Sequence, residues 1–311
     1  MDAIVGIATY NNKNTIAETI AGIQQQSSQP SKLVVCDASD DGTREIIESM
    51  ANSSDLKIEL IPQTGIGIAN AYNEILEHIG DEYDIFAMID TNYTVNPNWL
   101  QTHLQIHSSY SCIGTVCGGE DEGVKLPGEN GYYRSRNISF KKSVLENLQG
   151  WEGKMLRGED WDMEIRLKQQ RVVSYTSPDA KLRRIGDDES ITLAKRLKTP
   201  TSVMFLRKYG LFYLKYHPTH IAHDIIALSF VLTALFFPIV LLWNVEFGVY
   251  TGMALFAITL IYLFSHDAVK GSTKTKWNKL LIKLVGTGLA IPISFIRMIG
   301  DSRDWNMAGV K

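Results

Sequence analysis

The sequence predicts an α/β domain built on a mostly parallel sheet, followed by apolar helices toward its C-terminal end. Two observations carry this prediction. Short apolar runs that end in polar clusters alternate with segments of helical period through the first half of the chain, and two long stretches without charge lie beyond residue 225. Thirty-one Lys and Arg stand against 34 Asp and Glu in 311 residues, a formal charge of −3 that offers no basic surface for nucleic acid.

The first strand is predicted at Ile4-Val5-Gly6-Ile7-Ala8-Thr9-Tyr10, an apolar run that stops at Asn11-Asn12. Thr15 to Gln25 has apolar residues at helical spacing. Leu33-Val34-Val35-Cys36 reads as a second strand ending at Asp37, and the turn-rich Ser39-Asp40-Asp41-Gly42-Thr43 leads into a helix from Arg44 to Met50. Ile58 to Ile61 is a third strand, Ile68 to His78 a helix, and Ile85 to Ile89 a fourth strand that terminates at Asp90. Strands alternating with helices imply a parallel sheet covered on both faces, and in such sheets ligands sit at the carboxyl ends of the strands. Thr9-Tyr10-Asn11, Asp37-Ala38-Ser39 and Asp90-Thr91-Asn92 all fall there.

The last third of the chain prefers a different solvent. Ile225 to Trp243 is a run of 19 uncharged residues, enough at about 1.5 Å per residue to cross a hydrocarbon core of about 30 Å. Phe247 to Ser265 offers a second span after a turn of only Asn244, Val245 and Glu246, so the two are expected as an antiparallel pair. Lys270, Lys274, Lys276, Lys279 and Lys283 follow, whereas the turn has no cation, which puts the following segment and the N-terminal domain on the cytosolic side. Leu284 to Ile296 is shorter, with two glycines and Pro292, and fits either a third span or a re-entrant segment. Val203 to Tyr216 mixes aromatic residues with cations, as does a helix lying in the headgroup layer or a surface helix. The N-terminus carries no signal-peptide pattern, and Cys36, Cys112 and Cys117, without paired spacing, are expected as reduced core residues. The expected organisation is a cytosolic domain over 1–199, an interfacial segment over 200–224 and a membrane anchor over 225–300.

Taken in order, the motifs resemble those of the family 2 glycosyltransferases, which use a GT-A nucleotide-sugar-binding fold. They are Ile7-Ala8-Thr9-Tyr10-Asn11, then Val34 to Thr43 with Asp37 and Asp40-Asp41, Gly65-Ile66-Gly67 running on to Asn70 and Asn73, and Asp90-Thr91-Asn92. Arg136-Asn137, Gly150-Trp151 and Gly158-Glu159-Asp160-Trp161-Asp162 with Arg166 complete the set.

The resemblance implies a role for each. Thr9, Tyr10, Asn11, Asp37 and Ser39 would hold the nucleoside, Asp37 accepting from base or ribose. Gly65 and Gly67 would let the backbone approach the donor, with Asn70 on the helix that follows. Asp90-Thr91-Asn92 stands where the family has Asp-x-Asp, so Asp90 and Asn92 would hold a divalent cation, Mg²⁺ or Mn²⁺, with binding weakened by the amide. A metal-ligating His that often follows the Glu-Asp pair is replaced by Lys181-Leu182-Arg183-Arg184, and Arg184 is assigned to the donor diphosphate instead. Asp160 would be the base for an inverting transfer and Glu159 an acceptor-site residue. Trp151 and Trp161 fit either sugar stacking or packing. The implied reaction moves a sugar from a nucleotide diphosphate sugar, uridine-based, to a lipid-linked acceptor, a polyprenyl phosphate or a carrier-linked glycan, at a multi-pass site in the cell membrane. Arg183, Arg184, Lys195, Arg196, Lys198, Arg207 and Lys208 would meet the acceptor phosphate or anionic lipid. A polysaccharide synthase is disfavoured by the lack of a Gln-x-x-Arg-Trp motif between Asp160 and Ile225, and a catalytically idle nucleotide-sugar-binding protein is the other alternative.

Overall fold

The computed structural model describes residues 1–186 except 82, 130–131 and 156–157, residues 202–254 except 244 and 247, residue 257, and residues 284–292 except 286. Most of the predicted second span, the lysines from Lys270 to Lys283, the end of the third apolar stretch, and Lys195, Arg196 and Lys198 lie outside the described residues. The chain forms two compact units, Met1–Asp188 and Glu189–Lys311.

The first unit is an α/β sandwich with the predicted order of elements. Strand β1 (Ala3–Thr9) is followed by α1 (Ile16–Gln24), β2 (Lys32–Asp37), α2 (Thr43–Asn52), β3 (Ile58–Pro62), α3 (Ile68–Ile79) and β4 (Ile85–Ile89). Four residues of β1 and all of β4 are apolar and fully enclosed, as expected of strands with helices on both sides. Alternate residues of β1 point to opposite cores: Ile4 joins Tyr72, Ile75 and Phe86 on the α3 side, and Val5 and Ile7 join Ile16, Ile20 and Trp99 on the α1 side. Gly6 permits the close approach of Phe86, because a Cβ there would lie 2.4 Å from its Cζ.

Beyond β4 come β5 (Tyr93–Val95), α4 (Trp99–Ser109), β6 (Ile113–Gly118), β7 (Gly123–Lys125), β8 (Asn137–Lys141), α5 (Lys142–Leu148), α6 (Glu159–Gln169), β9 (Val173–Ser177) and β10 (Leu182–Arg184). The main sheet has the order β3-β2-β1-β4-β8-β6-β9-β7. Strand β1 pairs parallel with both β2 and β4, whereas β8 runs antiparallel to β4 and β6, and β7 antiparallel to β9. The sheet is mostly parallel, with β8 and β7 reversed.

Chain order reverses at β1, which lies between β2 and β4, and in sheets of this kind the carboxyl ends of the strands at such a reversal are where ligands bind. Thr9 pairs with Asp37 there, and Ile89 pairs with Asn137 at the start of the reversed β8. Strand β10 folds back onto β5 with Arg184 opposite Tyr93. The backbone N–H groups of Ile185 and Gly186 both donate to the carbonyl of Asn92, at 3.0 and 3.3 Å. Residues 182–186 are thereby strapped beside Asp90-Thr91-Asn92.

In the second unit, the aromatic and basic segment is not the single helix expected from its composition. It forms two short helices, Ser202–Tyr209 and Leu211–Tyr216, broken at Gly210, whose φ of 56° lies in the left-handed region. Pro218 then opens a helix that runs to Trp243, so residues 218–224 belong to the helix that contains the first predicted span. Among the described residues, Pro218–Phe237 is the one helical stretch long and apolar enough to cross a membrane by length and composition, and only 11% of its most apolar window is buried. Ala227 of this helix packs against Leu284, and a Cβ on Gly288 would sit 2.4 Å from the carbonyl oxygen of Ala227.

Candidate active site

Two loops at the carboxyl edge of the sheet are tied together by their polar side chains. The Asn11 N–H donates to Ser39 Oγ at 2.8 Å, the Asp40 N–H to Asn11 Oδ1 at 3.0 Å, and the Asn12 N–H to Thr43 Oγ1 at 2.9 Å. Asn11 achieves this with a φ of 55°, which Asn tolerates better than most residues. Asn11 and Ser39 therefore shape the loops, while Tyr10 stands 66% exposed above them. Thr9 is buried and donates to Asn12 Oδ1.

Asp37 is buried at the end of β2. Its Oδ1 accepts from the Ser39 N–H at 3.1 Å, and its Oδ2 lies 3.2 Å from Arg44 Nη2 without a hydrogen-bonding angle. That oxygen is a buried acceptor, ion-paired with Arg44, that receives no hydrogen bond.

The glycine loop is held from below. Glu74 on α3 accepts from the backbone of Thr64 and Gly65, and Gln63 Nε2 donates to the carbonyls of Gly65 and Gly67 at 2.7 and 2.8 Å. Gly67 has a φ of 91°, a backbone state that an L side chain would strain. Asn70 turns its amide to the carbonyls of Ile66 and Gly153, and Asn73 exchanges two hydrogen bonds with the backbone of Trp151. Both asparagines thus stitch α3 to the loop before α6. Trp151 itself is buried among Tyr72, Phe86 and Phe140, so the sugar-stacking role open to it in the sequence is excluded.

Asp90 follows β4 and accepts from the Asn92 N–H at 3.2 Å and the Asn92 amide at 3.5 Å, while Asn92 Oδ1 faces Gly186. Among the described residues no group of three or more His, Cys, Asp and Glu is placed to hold a metal. One carboxylate, Asp90, and the amide oxygen of Asn92 could offer a hard cation two oxygen ligands, so the rest of its coordination shell would have to come from elsewhere.

Next to this pair, two guanidinium groups approach the Tyr93 ring. Arg136 Cζ is 5.4 Å and Arg184 Cζ 5.7 Å from its ring centre, and Arg136 also donates to the Tyr93 hydroxyl. Of the three residues, the sequence motifs single out Arg184 and, within Arg136-Asn137, Arg136, but not Tyr93. No periodicity marks the cluster, because Arg184 meets Tyr93 through the β5–β10 pairing and Arg136 reaches the Tyr93 hydroxyl from the start of β8.

Glu159 and Asp160 open α6. Gly158 precedes them with a φ of 83°, and Asp160 Oδ1 accepts from the Trp161 N–H at 2.8 Å, a favourable place for a carboxylate at a helix start. The helix is anchored by Arg166, which pairs with the fully buried Asp162 at 2.8 Å and donates to the carbonyls of Leu148 and Gly150. Burial pushes the Asp160 carboxyl above the ordinary aspartate value. The Trp161 N–H and the charge of Arg136 oppose the rise, and the charge of Glu164 adds to it.

Two buried tyrosines lie within reach of these carboxylates. The buried Tyr72 phenol is pushed up first by burial and then by the charges of Asp90 and Glu159. Tyr133 is pushed up by burial and then by Asp160. Asp160 faces a cleft of ≈ 510 Å³ whose walls include Tyr133, Arg136, Asn137 and Trp161. Asn137 is fixed in that wall by Trp99, whose Nε1 donates to Asn137 Oδ1 at 2.7 Å, and by its own bond to the Ala180 carbonyl. The cysteines take no part: Cys36 and Cys117 are buried, with thiols pushed up to about 12 and about 11 chiefly by burial, whereas Cys112 is exposed, contrary to the expected core position.

A family model described as Glycosyl transferase family 2 matches residues 4–156. The chain is 30% identical over 200 residues, covering 58% of itself and 70% of the relative, to a Bacillus subtilis (strain 168) protein named "Putative glycosyltransferase EpsE". Among solved structures it is similar to the mannosyltransferase PcManGT from Pyrobaculum calidifontis in complex with GDP-Man and Mn²⁺. That match has a TM-score of 0.59 and 17% identity over 92% of this chain and 86% of the other. It also resembles S. aureus TarS 1-349 in complex with UDP-GlcNAc, with a TM-score of 0.52 and 15% identity over 95% and 92%. Of the longer TarS chain it spans 40%.

Proposed function

The chain belongs to glycosyl transferase family 2, and from that premise we propose that it is an inverting enzyme moving a sugar from a uridine diphosphate sugar to a membrane lipid-linked acceptor. The observation that carries the proposal is Asp160, a carboxylate with raised proton affinity at the start of α6 on the wall of the cleft. In this reading Asp37 accepts from the base through Oδ2, the oxygen paired with Arg44, and the exposed Tyr10 covers the nucleoside. Arg184, held against Tyr93, meets the diphosphate. Mg²⁺ or Mn²⁺ would be held by Asp90 and by the donor, and when bound it supplies charge neutralisation for the leaving diphosphate.

A membrane acceptor is supported by the helix Pro218–Trp243, which presents Leu235, Phe236, Ile239, Leu242 and Trp243 largely exposed. This reading keeps the enzyme in the cell membrane with its first unit in the cytoplasm. A screen of nucleotide sugars against a membrane lipid extract, with and without Mg²⁺ or Mn²⁺, tests it through the lipid that becomes labelled. A catalytically idle binder is favoured by one observation, the Asn92 amide closed on Asp90. Nucleoside diphosphate release that requires acceptor and is lost in Asp160→Asn excludes that second reading.

A further inference from the structure

We propose that Glu74 is a positioning residue for the sugar-nucleotide donor: it fixes the loop at 64–67 from the side of α3, and through that loop it sets donor affinity without taking part in the chemical step. The inference rests on the transferase reading above, with the glycine loop bordering the donor, and adds to it a residue that none of the sequence motifs includes.

The partners of its carboxylate are the first argument. The Thr64 N–H donates to both oxygens, at 3.2 Å to Oε1 and 2.9 Å to Oε2, and the Thr64 hydroxyl donates to Oε1 at 2.8 Å. The Gly65 N–H donates to Oε1 as well, and the Cys36 thiol on β2 reaches Oε2 at 3.6 Å. A carboxylate offers about four acceptor positions, so this one is taken up by protein groups and has none left for a ligand. Glu74 therefore acts through the loop. Burial would raise its carboxyl, but the bonds from Gly65 and Thr64 outweigh burial and hold it below the ordinary glutamate value, so the clamp is ionised at neutral pH.

The place of the loop is the second argument. The Gln63 N–H donates to the Asp37 carbonyl at 2.9 Å, so the loop leaves the sheet at the strand end that carries the proposed base contact. Glu74 holds amides of this loop while Gln63 Nε2 holds its carbonyls at Gly65 and Gly67. The loop lies close against α3 as a result: a Cβ on Gly65 would come within 2.7 Å of Asn70 Cβ and 3.1 Å of Glu74 Oε1. An amide in place of the carboxylate would set an NH2 donor against the N–H groups of Thr64 or Gly65, so the loop loses a partner with no change of side-chain volume. A slack loop must then be ordered when the donor binds. That cost falls on ground state and transition state alike, so KM rises and kcat does not.

The test uses the full chain in detergent micelles with the donor found by the nucleotide-sugar screen, and calorimetry measures uridine diphosphate binding on the same preparation. Glu74→Gln is expected to raise the donor KM by about tenfold or more, with kcat within about threefold of wild type and the acceptor KM unchanged. Leu76→Ala, on the same helix and packed against the core, loses stability but should keep the donor KM, which separates loop shape from general loosening. Thr64→Val removes one donor to Glu74 from an exposed side chain and leaves the fold intact, and its donor KM should rise about two- to fivefold. A donor KM unchanged in Glu74→Gln, or in Thr64→Val should Glu74→Gln not fold, overturns the inference and leaves the transferase reading intact. An equal rise in Leu76→Ala does the same. Failure of the wild-type chain to bind any nucleoside diphosphate overturns the transferase reading itself.

Discussion

Replacing Arg166 by methionine tests whether the base is held in place from nearly two helical turns away. Asp162 is fully buried and pairs with Arg166, whose side chain is 18% exposed, and the same guanidinium holds the carbonyls of Leu148 and Gly150. Methionine keeps much of the volume but deprives a buried carboxylate of its cation, which costs about 3–5 kcal/mol. The slight exposure lets water reach part of the vacated space, so the carbonyls add little. For a unit of this size about 1 kcal/mol shifts Tm by roughly 2–4 °C, so a fall on the order of 10 °C is expected in a thermal scan followed by tryptophan fluorescence. Transfer should fall as well, because α6 carries Asp160 at its first turn and loses its tie to the loop at 148–150. Asp162→Asn combined with Arg166→Met removes the stranded charge and should recover more than half of the lost stability. A single variant that melts within 2 °C of wild type, or a double variant no better than the single, would refute the reasoning.

Asp160→Asn should reduce kcat by about 10²–10⁴ with donor binding retained, read in single-turnover assays. Because folding raises the Asp160 pKa, its ionisation costs stability at neutral pH and not below the unfolded value. The same variant should therefore melt higher than wild type at pH 7, with the difference shrinking as the pH falls through the raised pKa to the ordinary aspartate value. His103 and His107 share the Ser139 hydroxyl in the core, and burial lowers them to about 4 and about 3 from 6.5. The unfolded chain takes up their protons first, so stability should fall below pH 6.5 by up to about 1.4 kcal/mol per pH unit for each, until about pH 4 and 3. Urea unfolding at stepped pH should find this slope reduced in His103→Gln and His107→Gln. Tyr93→Phe keeps the ring under both arginines but removes the hydroxyl that Arg136 holds, and kcat/KM should drop by about tenfold, with Tyr93→Leu lower still.

The sheet and its first helices were legible because their signals are local. Ile4 to Thr9, Leu33 to Cys36 and Ile85 to Ile89 are too apolar for any place but a strand covered on both faces, and the helices between them repeat apolar residues at helical spacing. The polar ends of those strands pointed to the ligand edge for the same reason. The later part was harder to read. Strand β8 is antiparallel inside an otherwise parallel region, and its direction depends on its neighbours β4 and β6 and not on Asn137–Lys141 themselves. Trp151 and Trp161 looked alike on paper, but one is enclosed by three aromatic rings and the other lines the cleft.

By itself, the amino-acid sequence determined the alternation of strand and helix, the carboxylates that end the strands, and the presence of an apolar stretch long enough to cross a bilayer. These follow from side-chain period and solvent preference, which neighbouring residues express together. Only the tertiary structure decided that Asn11, Ser39 and Asn70 bind the backbone that shapes the loops, and that Tyr93 gathers Arg136 and Arg184. It also decided that Asp160 faces a cleft while Asp162 is buried against Arg166. The reason is that a polar side chain takes whichever partner folding brings within about 3 Å, and that partner is often distant in the chain.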